Sequence, residues 1–427
     1  MFGVVFLRQT LSKGKEFPKV YGVMREEKSK NVWYLIVAQA FFLSSSMTNV
    51  SFAGLAGKML AADPKLATVP LSLVIVSTAL TTGPFSMLMQ HKSRRFGFML
   101  GSMLGILSAA VCAYAVRIGS FDLFCVGTFL MGPYFASAQY YRFAASESVP
   151  KTHAARAISL VLLGGLIAAL MVPTANAWFN EHFMPYTFMG VYIFVGIMAA
   201  LSIVPILLMA PIGSPAHYTP EDASGEEGQK KGRPLSEIVK DRTFLVAVTN
   251  GIAGYAMMTF VMTATPLAME ACGFGSLTSS HVIQGHVIAM FLPSLFTGQL
   301  IARFGVMKIL LVGQACFALA FITALSGIEV QQFSIALVLL GVGWNFCFVG
   351  GSHLLTTVHT EAEKGRVQGL NEFIVFAVSA AGSLASGFIL NEFGWTVVNQ
   401  VTFAILAVAA AVTVIHVLKT RNTVESL

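Results

Sequence analysis

Residues 213–242 read GSPAHYTPEDASGEEGQKKGRPLSEIVKDR, and eleven of these thirty residues are charged. Glycine, proline and serine fill much of the remainder, so the stretch buries too little apolar surface to fold alone and reads as a solvated hinge. The chain on either side is nearly all apolar. Each flank divides into six segments of about 20 residues, the length that crosses a hydrocarbon core at a rise of 1.5 Å per residue. The predicted spans are 33–55, 68–89, 97–116, 121–143, 157–178 and 187–211 before the hinge, and 243–268, 281–302, 309–327, 333–357, 369–390 and 396–418 after it. The expected fold is an all-α membrane protein with twelve transmembrane helices in two pseudo-symmetric six-helix bundles.

Composition agrees: 56% of the residues are apolar and 11% charged, against about 25% charged in an ordinary soluble domain. The formal charge of +7 comes from residues placed like a membrane lining rather than a nucleic-acid face. With both termini inside, 24 of the 27 Lys and Arg lie in the tails, the hinge and the turns on that side, leaving Lys58, Lys65 and Arg117 opposite. Positive loops stay cytoplasmic, which predicts cytoplasmic termini in a bacterial inner membrane and no nucleic-acid partner. The organisation reads as a basic tail over 1–32, a first bundle over 33–212, the hinge over 213–242, a second bundle over 243–418 and a tail over 419–427. Seven Lys or Arg and no apolar run of signal-peptide length in the first 30 residues predict a retained tail, with Met1 and Met24 both open as the start. Four of five cysteines fall inside spans, which suits buried structural thiols rather than disulfides or a metal knuckle.

The halves are related. Between spans two and three the chain reads SMLMQHKSRR over Ser86–Arg95, and between spans eight and nine it reads GQLIARFGVMK over Gly298–Lys308. Glu147 and Arg156 after span four recur as Glu361 and Arg366 after span ten. Duplicated halves around a central site are a recurrent transporter plan. Twelve spans, a hinge after the sixth and a Gly-x-x-x-Asp-Arg-x-Gly-Arg-Arg-like turn resemble the major facilitator superfamily over roughly residues 30–420. The resemblance implies two bundles rocking about a cavity lined by spans 1, 4, 7 and 10, and a gating turn at Gly298, Arg303, Gly305 and Lys308. The acid of that turn is Ala302 in the second copy and Gln90 in the first, with Ser86 and Ser93 in place of glycines. Val172–Ala177 replaces the Gly-Pro-x-x-Gly-Gly of drug antiporters, which points away from multidrug export.

An ionisable side chain in hydrocarbon is costly and therefore marks a pathway or coupling site. By the predicted boundaries none lies near a span centre; Asp122, Arg142, Glu270 and Glu372 lie within about a turn and a half of an end. Glu372, beside Asn371, is one coupling candidate; its plainer and favoured reading is a helix N-terminal acid stabilised by the helix dipole. His286 is the second, since imidazole titrates near neutrality. Met290 shares its face, and Tyr255, Met258, Met262 and Met269 line one face of span seven, followed by Glu270, Cys272 and His281. Such donors could pass a transition-metal ion, with His286, Met262 and Met290 as the hypothetical ligands; the plainer reading is packing by the methionines and a hydrogen-bonded core histidine. A second cluster suits an organic ligand: Phe41, Ser45 and Asn49 in span one, Gln139–Arg142 in span four, and Trp344 with Asn345 in span ten. Arg142 either fixes an anionic group or snorkels at the boundary.

No nucleotide loop, nucleophile triad or zinc cluster occurs in the polar segments, so neither an enzyme nor a cofactor is expected. The expected partners are the lipid bilayer, a small solute or metal ion and, as a coupling ion, protons. The first reading is a secondary transporter working by alternating access on a transition metal, iron first, since the resembling superfamily includes iron-handling permeases, magnetosome-associated ones among them. The alternatives are a small organic solute such as a flavin or an exported metabolite, and a receptor or scaffold that keeps the fold without transport.

Overall fold

A helix is what a chain adopts when no water is available to its peptide groups, because every N–H and C=O is then satisfied within the segment. The computed structural model describes residues 17–63, 66, 69–212 and 232–425. Most of the predicted hinge, 213–231, and residues 1–16 of the predicted tail lie outside the described residues. The helices of the first half are α1 (Phe17–Leu60), α2 (Val69–His91), α3 (Arg94–Ile118), α4 (Phe121–Glu147), α5 (Lys151–His182) and α6 (Met189–Leu208). Those of the second half are α7 (Arg242–Ala271), the bent α8 (Ser276–Phe291 continuing to Phe304), α9 (Val306–Leu325), α10 (Val330–Val358), and α11 and α12, which form one run over Lys364–Glu425 divided at Gly394. Ten described helices are long and apolar enough to cross a membrane, the bent pair adds an eleventh, and the division at Gly394 brings the crossings to the twelve expected.

Helix ends follow local chemistry. Ser93 caps α3 by accepting from Phe96 N at 3.1 Å, and Asp241 caps α7 by accepting from Thr243 N at 2.7 Å. Gly305 at φ 85° and Gly394 at φ 79° turn the chain between consecutive helices, a backbone region that side-chain-bearing residues avoid. Two expectations change. α1 begins at Phe17 rather than 33, so the second half of the predicted tail is helical. α8 bends by 49° where Leu292–Leu295 tightens around Pro293, because proline supplies no N–H to the preceding turn.

The buried side chains form two main cores. One centres on Phe42, Phe98, Tyr134, Tyr141 and Tyr192 of the first six helices, the other on Phe260, Phe317, Phe321, Leu337 and Trp344 of the second six. α2 packs against α11, and α5 against α8, across the seam. At that seam Gly298 lies so close to α5 that a Cβ would sit 2.4 Å from Arg156 Cα, so only glycine allows the approach.

The polar contacts seen between the bundles cluster on the side that carries the hinge. Gln90, in the acid's place in the first turn motif, donates from Nε2 to the carbonyls of Glu361 and Ala362 at 3.2 and 3.1 Å. Its Oε1 accepts from Gly365 N at 2.9 Å. An amide thus caps the start of α11. Arg94 pairs with Glu147 at 2.6 Å and donates to Gln368 Oε1 at 2.6 Å, while Lys364 reaches Glu147 at 3.4 Å. The same connection, 359–363, is clamped from the described end of the linker. Arg233 donates to Glu363 from Nε at 2.9 Å and from its backbone N at 2.7 Å, and to Val358 O at 2.7 Å. This conformation is closed on the hinge side.

The Arg233 guanidinium, aided by the backbone N–H groups of Thr360 and Arg233, holds the Glu363 carboxyl down at about 2 against an ordinary 4.5, despite burial. A depressed folded value means stability present above the ordinary value and lost as pH falls from 4.5 towards about 2. Thermal melts of the purified protein between pH 6 and pH 3 should therefore show an acid loss in that window, and Arg233→Gln should flatten it.

Candidate functional site

Where α4, α7, α10 and α11 meet, aromatic rings build a wall over an ion pair. Tyr255 of α7 lies 5.9 Å from Trp344, 5.1 Å from Phe348 and 5.1 Å from Phe376, ring centre to ring centre. Trp344 stacks on Phe348 at 4.9 Å with an interplanar angle of 19°, and Phe291 meets its other side edge-on at 5.6 Å. The spacing explains the pairing: Trp344 and Phe348 are four residues apart on α10 and share one face. Tyr255 is half-buried, as are Met258 and Met262 further along α7, whereas Trp344 is buried. The indole Nε1 of Trp344 has no hydrogen-bond partner, a deficit of about 1–3 kcal/mol for a buried donor.

Beneath the rings Arg142 reaches from α4 into the second bundle. Its Nη2 donates to Glu372 Oε1 at 2.5 Å, its Nε to Ser352 Oγ at 2.9 Å and its Nη1 to Gln139 O at 2.7 Å. The guanidinium carbon lies over the Phe348 ring at 4.3 Å and the Phe143 ring at 4.5 Å. Asn371 donates to the same carboxylate oxygen at 2.8 Å. Arg142 is 3% exposed and Glu372 1%, so both charges are compensated only by this geometry.

Two sequence readings are corrected here. Arg142 does not snorkel; its side chain points inward across the seam. Glu372 is not a first-turn acid, because α11 starts at Lys364, five residues before the predicted span, which places the carboxylate more than two turns inside.

The structure brings together Arg142, Glu372, Tyr255 and Trp344 and disperses most of the other candidates. Ser45 donates to Phe41 O at 3.2 Å and to Val195 O at 3.4 Å, facing α6 inside the first bundle. Asn49, one turn on, is buried there with both amide atoms unpartnered. Asn345 braces the α8 bend: its Nδ2 donates to Met290 O at 2.7 Å and Ser294 Oγ at 2.6 Å, and its Oδ1 accepts from Thr297 Oγ1 at 2.6 Å. A break in a helix frees carbonyls, and an amide that both donates and accepts satisfies them. Ser159 of α5 bonds the freed Ser294 carbonyl at 2.6 Å from across the seam.

His286 is fully buried with Nδ1 against Leu337 O at 2.7 Å, and Met290 is buried in the second bundle. Their helix face packs on α10, where a Cβ on Gly341 would sit 2.7 Å from His286 O. Met258 and Met262 stay on the half-buried side of α7, while Glu270 and His281 are exposed. Imidazole, thioether and carboxylate therefore do not converge, and among the described residues no group of three His, Cys, Asp or Glu side chains could hold a metal ion. In the gating turn Gly298 packs on α5, Gly305 turns the chain, and Arg303 and Lys308 are exposed.

Sequence reasoning did not single out Phe348, Phe376, Ser352 or Gln368. The i, i+4 spacing of Trp344, Phe348 and Ser352 is the signal that could have found two of them.

The sequence profile of the Major Facilitator Superfamily matches residues 34–284 and 252–426. The chain belongs to the major facilitator superfamily. Among curated members it is 39% identical over 378 residues to the riboflavin transporter RfnT of Brucella anthropi, covering 88% of this chain and 93% of that one. It is 25% identical to the uncharacterised transporter YddS of Bacillus subtilis, covering 87% of each. Solved structures of this superfamily's fold align with it closely. FucP in the outward conformation gives a TM-score of 0.69 at 16% identity over 90% of this chain and 99% of that one. The human organic anion transporter MFSD10 gives 0.72 at 13% over 90% and 99%, and an outward-facing bacterial homologue of ferroportin 0.68 at 13% over 90% and 98%. These distant likenesses establish the fold. This superfamily member is a multi-pass membrane transporter.

Glu372→Ala should lower the unfolding free energy by about 3–5 kcal/mol, because it strands a buried guanidinium. Arg142→Met combined with Glu372→Leu should recover most of that loss. Denaturation in detergent micelles measures both.

Proposed function

We propose that this transporter carries riboflavin, or a flavin of the same ring chemistry, by alternating access. The observation that carries the reading is the relative named a riboflavin transporter, which matches nearly end to end at 39% identity. The ring wall agrees with it. An isoalloxazine is a flat, largely apolar tricycle with a polar edge, and the half-buried Tyr255 beside Trp344, Phe348 and Phe376 offers stacking surfaces for such a ring. The Nε1 of Trp344, unpartnered and enclosed in this conformation, becomes a donor for a ring carbonyl where the wall parts to admit the ring. Iron, the first expectation, draws no support from the donors: His286 and Met290 pack against α10 inside one bundle.

The cycle follows from the closed seam. With the hinge side sealed by Gln90, Arg94, Arg142 and Lys364, the solute loads from the opposite side and settles against the rings. Bundles 33–212 and 243–418 then rock about 213–242, the contacts on the hinge side part, and the solute leaves there. A ligand drives this only to the extent that it binds the two states differently. Lys and Arg crowd the hinge side, which supports reading that side as the cytoplasmic face of a bacterial inner membrane.

Cells of a riboflavin auxotroph expressing the chain should take up radiolabelled riboflavin saturably. Tyr255→Ala or Trp344→Ala should weaken apparent affinity about 10-fold, the equivalent of one lost stacking contact of about 1.4 kcal/mol. His286→Ala should leave uptake within about twofold, a factor worth about 0.4 kcal/mol. Absence of both uptake and binding by the folded protein would sink the flavin reading.

A further inference from the structure

We propose that the Arg142–Glu372 pair makes the site selective for uncharged ring solutes, so that riboflavin is accepted and its phosphate ester, flavin mononucleotide, is rejected. This rests on the flavin reading and adds to it a charge rule that the relative's name does not contain.

A buried arginine in a transporter cavity is ordinarily read as an anchor for an anion, because its fork matches carboxylate and phosphate. Here that role is already taken. Each of the three guanidinium nitrogens is engaged: Nε by Ser352, Nη1 by Gln139 and Nη2 by Glu372. The guanidinium carbon also lies within 4.3 Å of the Phe348 ring centre on the second bundle and 4.5 Å of the Phe143 ring centre on the first. Phe348 is also part of the ring wall, stacked on Trp344 and in contact with Tyr255. The cation thus lies directly behind the surface that a ring would touch, with its charge cancelled by a carboxylate at hydrogen-bonding distance.

The neighbouring cations offer no substitute. Towards the hinge side, Arg94 is paired with Glu147, and Lys364 lies between Glu147 and Glu361 at 3.4 and 2.8 Å. A phosphate monoester would bring a charge of about −1.5 to −2 to a site that is locally neutral and dry. It would have to desolvate without a counter-charge, or pull Arg142 from Glu372 and strand the carboxylate. An uncharged flavin makes neither demand. Glu372 is therefore a specificity-determining residue: it withholds Arg142 from anions. Replacing it by glutamine keeps the shape and leaves the cation uncompensated.

The test is a pair of binding titrations on the full-length protein in nanodiscs, following flavin fluorescence with riboflavin and with flavin mononucleotide. The wild type should bind riboflavin at least about 10-fold more tightly than the ester. Glu372→Gln should narrow that ratio by about 10-fold or more through tighter binding of the ester. Arg142→Gln added to Glu372→Gln should restore the ratio, which separates charge from a steric objection to the phosphate. Equal affinity of the wild type for both flavins would overturn the proposal, as would an unchanged ratio in a folded Glu372→Gln protein. The wild-type ratio needs no variant, so it decides even if that substitution fails to fold. Binding of neither flavin removes the flavin reading itself and this inference with it; equally tight binding of both removes only the charge rule.

Discussion

A guanidinium from one bundle and a carboxylate from the other meet in an interior that offers neither of them water. Each charge is tolerable only while the other is in place, so the pair links the relative position of the bundles to the electrostatics of the site. Parting the hinge side separates Arg142 from Glu372 and Ser352 together. The rings lying over the guanidinium place the aromatic wall in the same unit, since Phe348 touches both Arg142 and Trp344. A solute that moves the wall acts on the contact that holds the seam.

The remaining polar contacts form further layers towards the hinge side. Beyond the Arg142 pair come Arg94, Glu147 and Gln368, then Gln90 against the start of α11, then Arg233 holding Glu363. The outer two layers, Gln90 and Arg233, reach backbone groups at the end of α10 and the start of α11, where such groups lack intrahelical partners. The connection 359–365 is the piece they share.

The two turn motifs correspond in position and differ in use. Gln90 fills the acid's place in the first turn and works as an amide, donating to two carbonyls and accepting from one N–H at the start of α11. An ionised carboxylate only accepts and would have to leave those carbonyls unmet. The second turn has Ala302 there and relies on close approach instead, with Gly298 against the backbone of α5. Glu147 is likewise enclosed by Arg94 and Lys364, whereas its counterpart Glu361 has a side chain 85% exposed.

Hydropathy alone determined the all-helical membrane fold and the twelve crossings, because transfer into hydrocarbon depends on composition over about 20 residues and little on what lies beside it. Only the tertiary structure decided which polar side chains face the seam. It turned Asn345 to the α8 bend, Ser45 to α6 and His286 to α10, and it brought Glu372 to Arg142 across 230 residues. In a soluble helix the polar face marks what is outside. Here lipid and protein core are equally apolar, so the pattern along a helix does not say which of its faces meets a neighbour, and packing settles it.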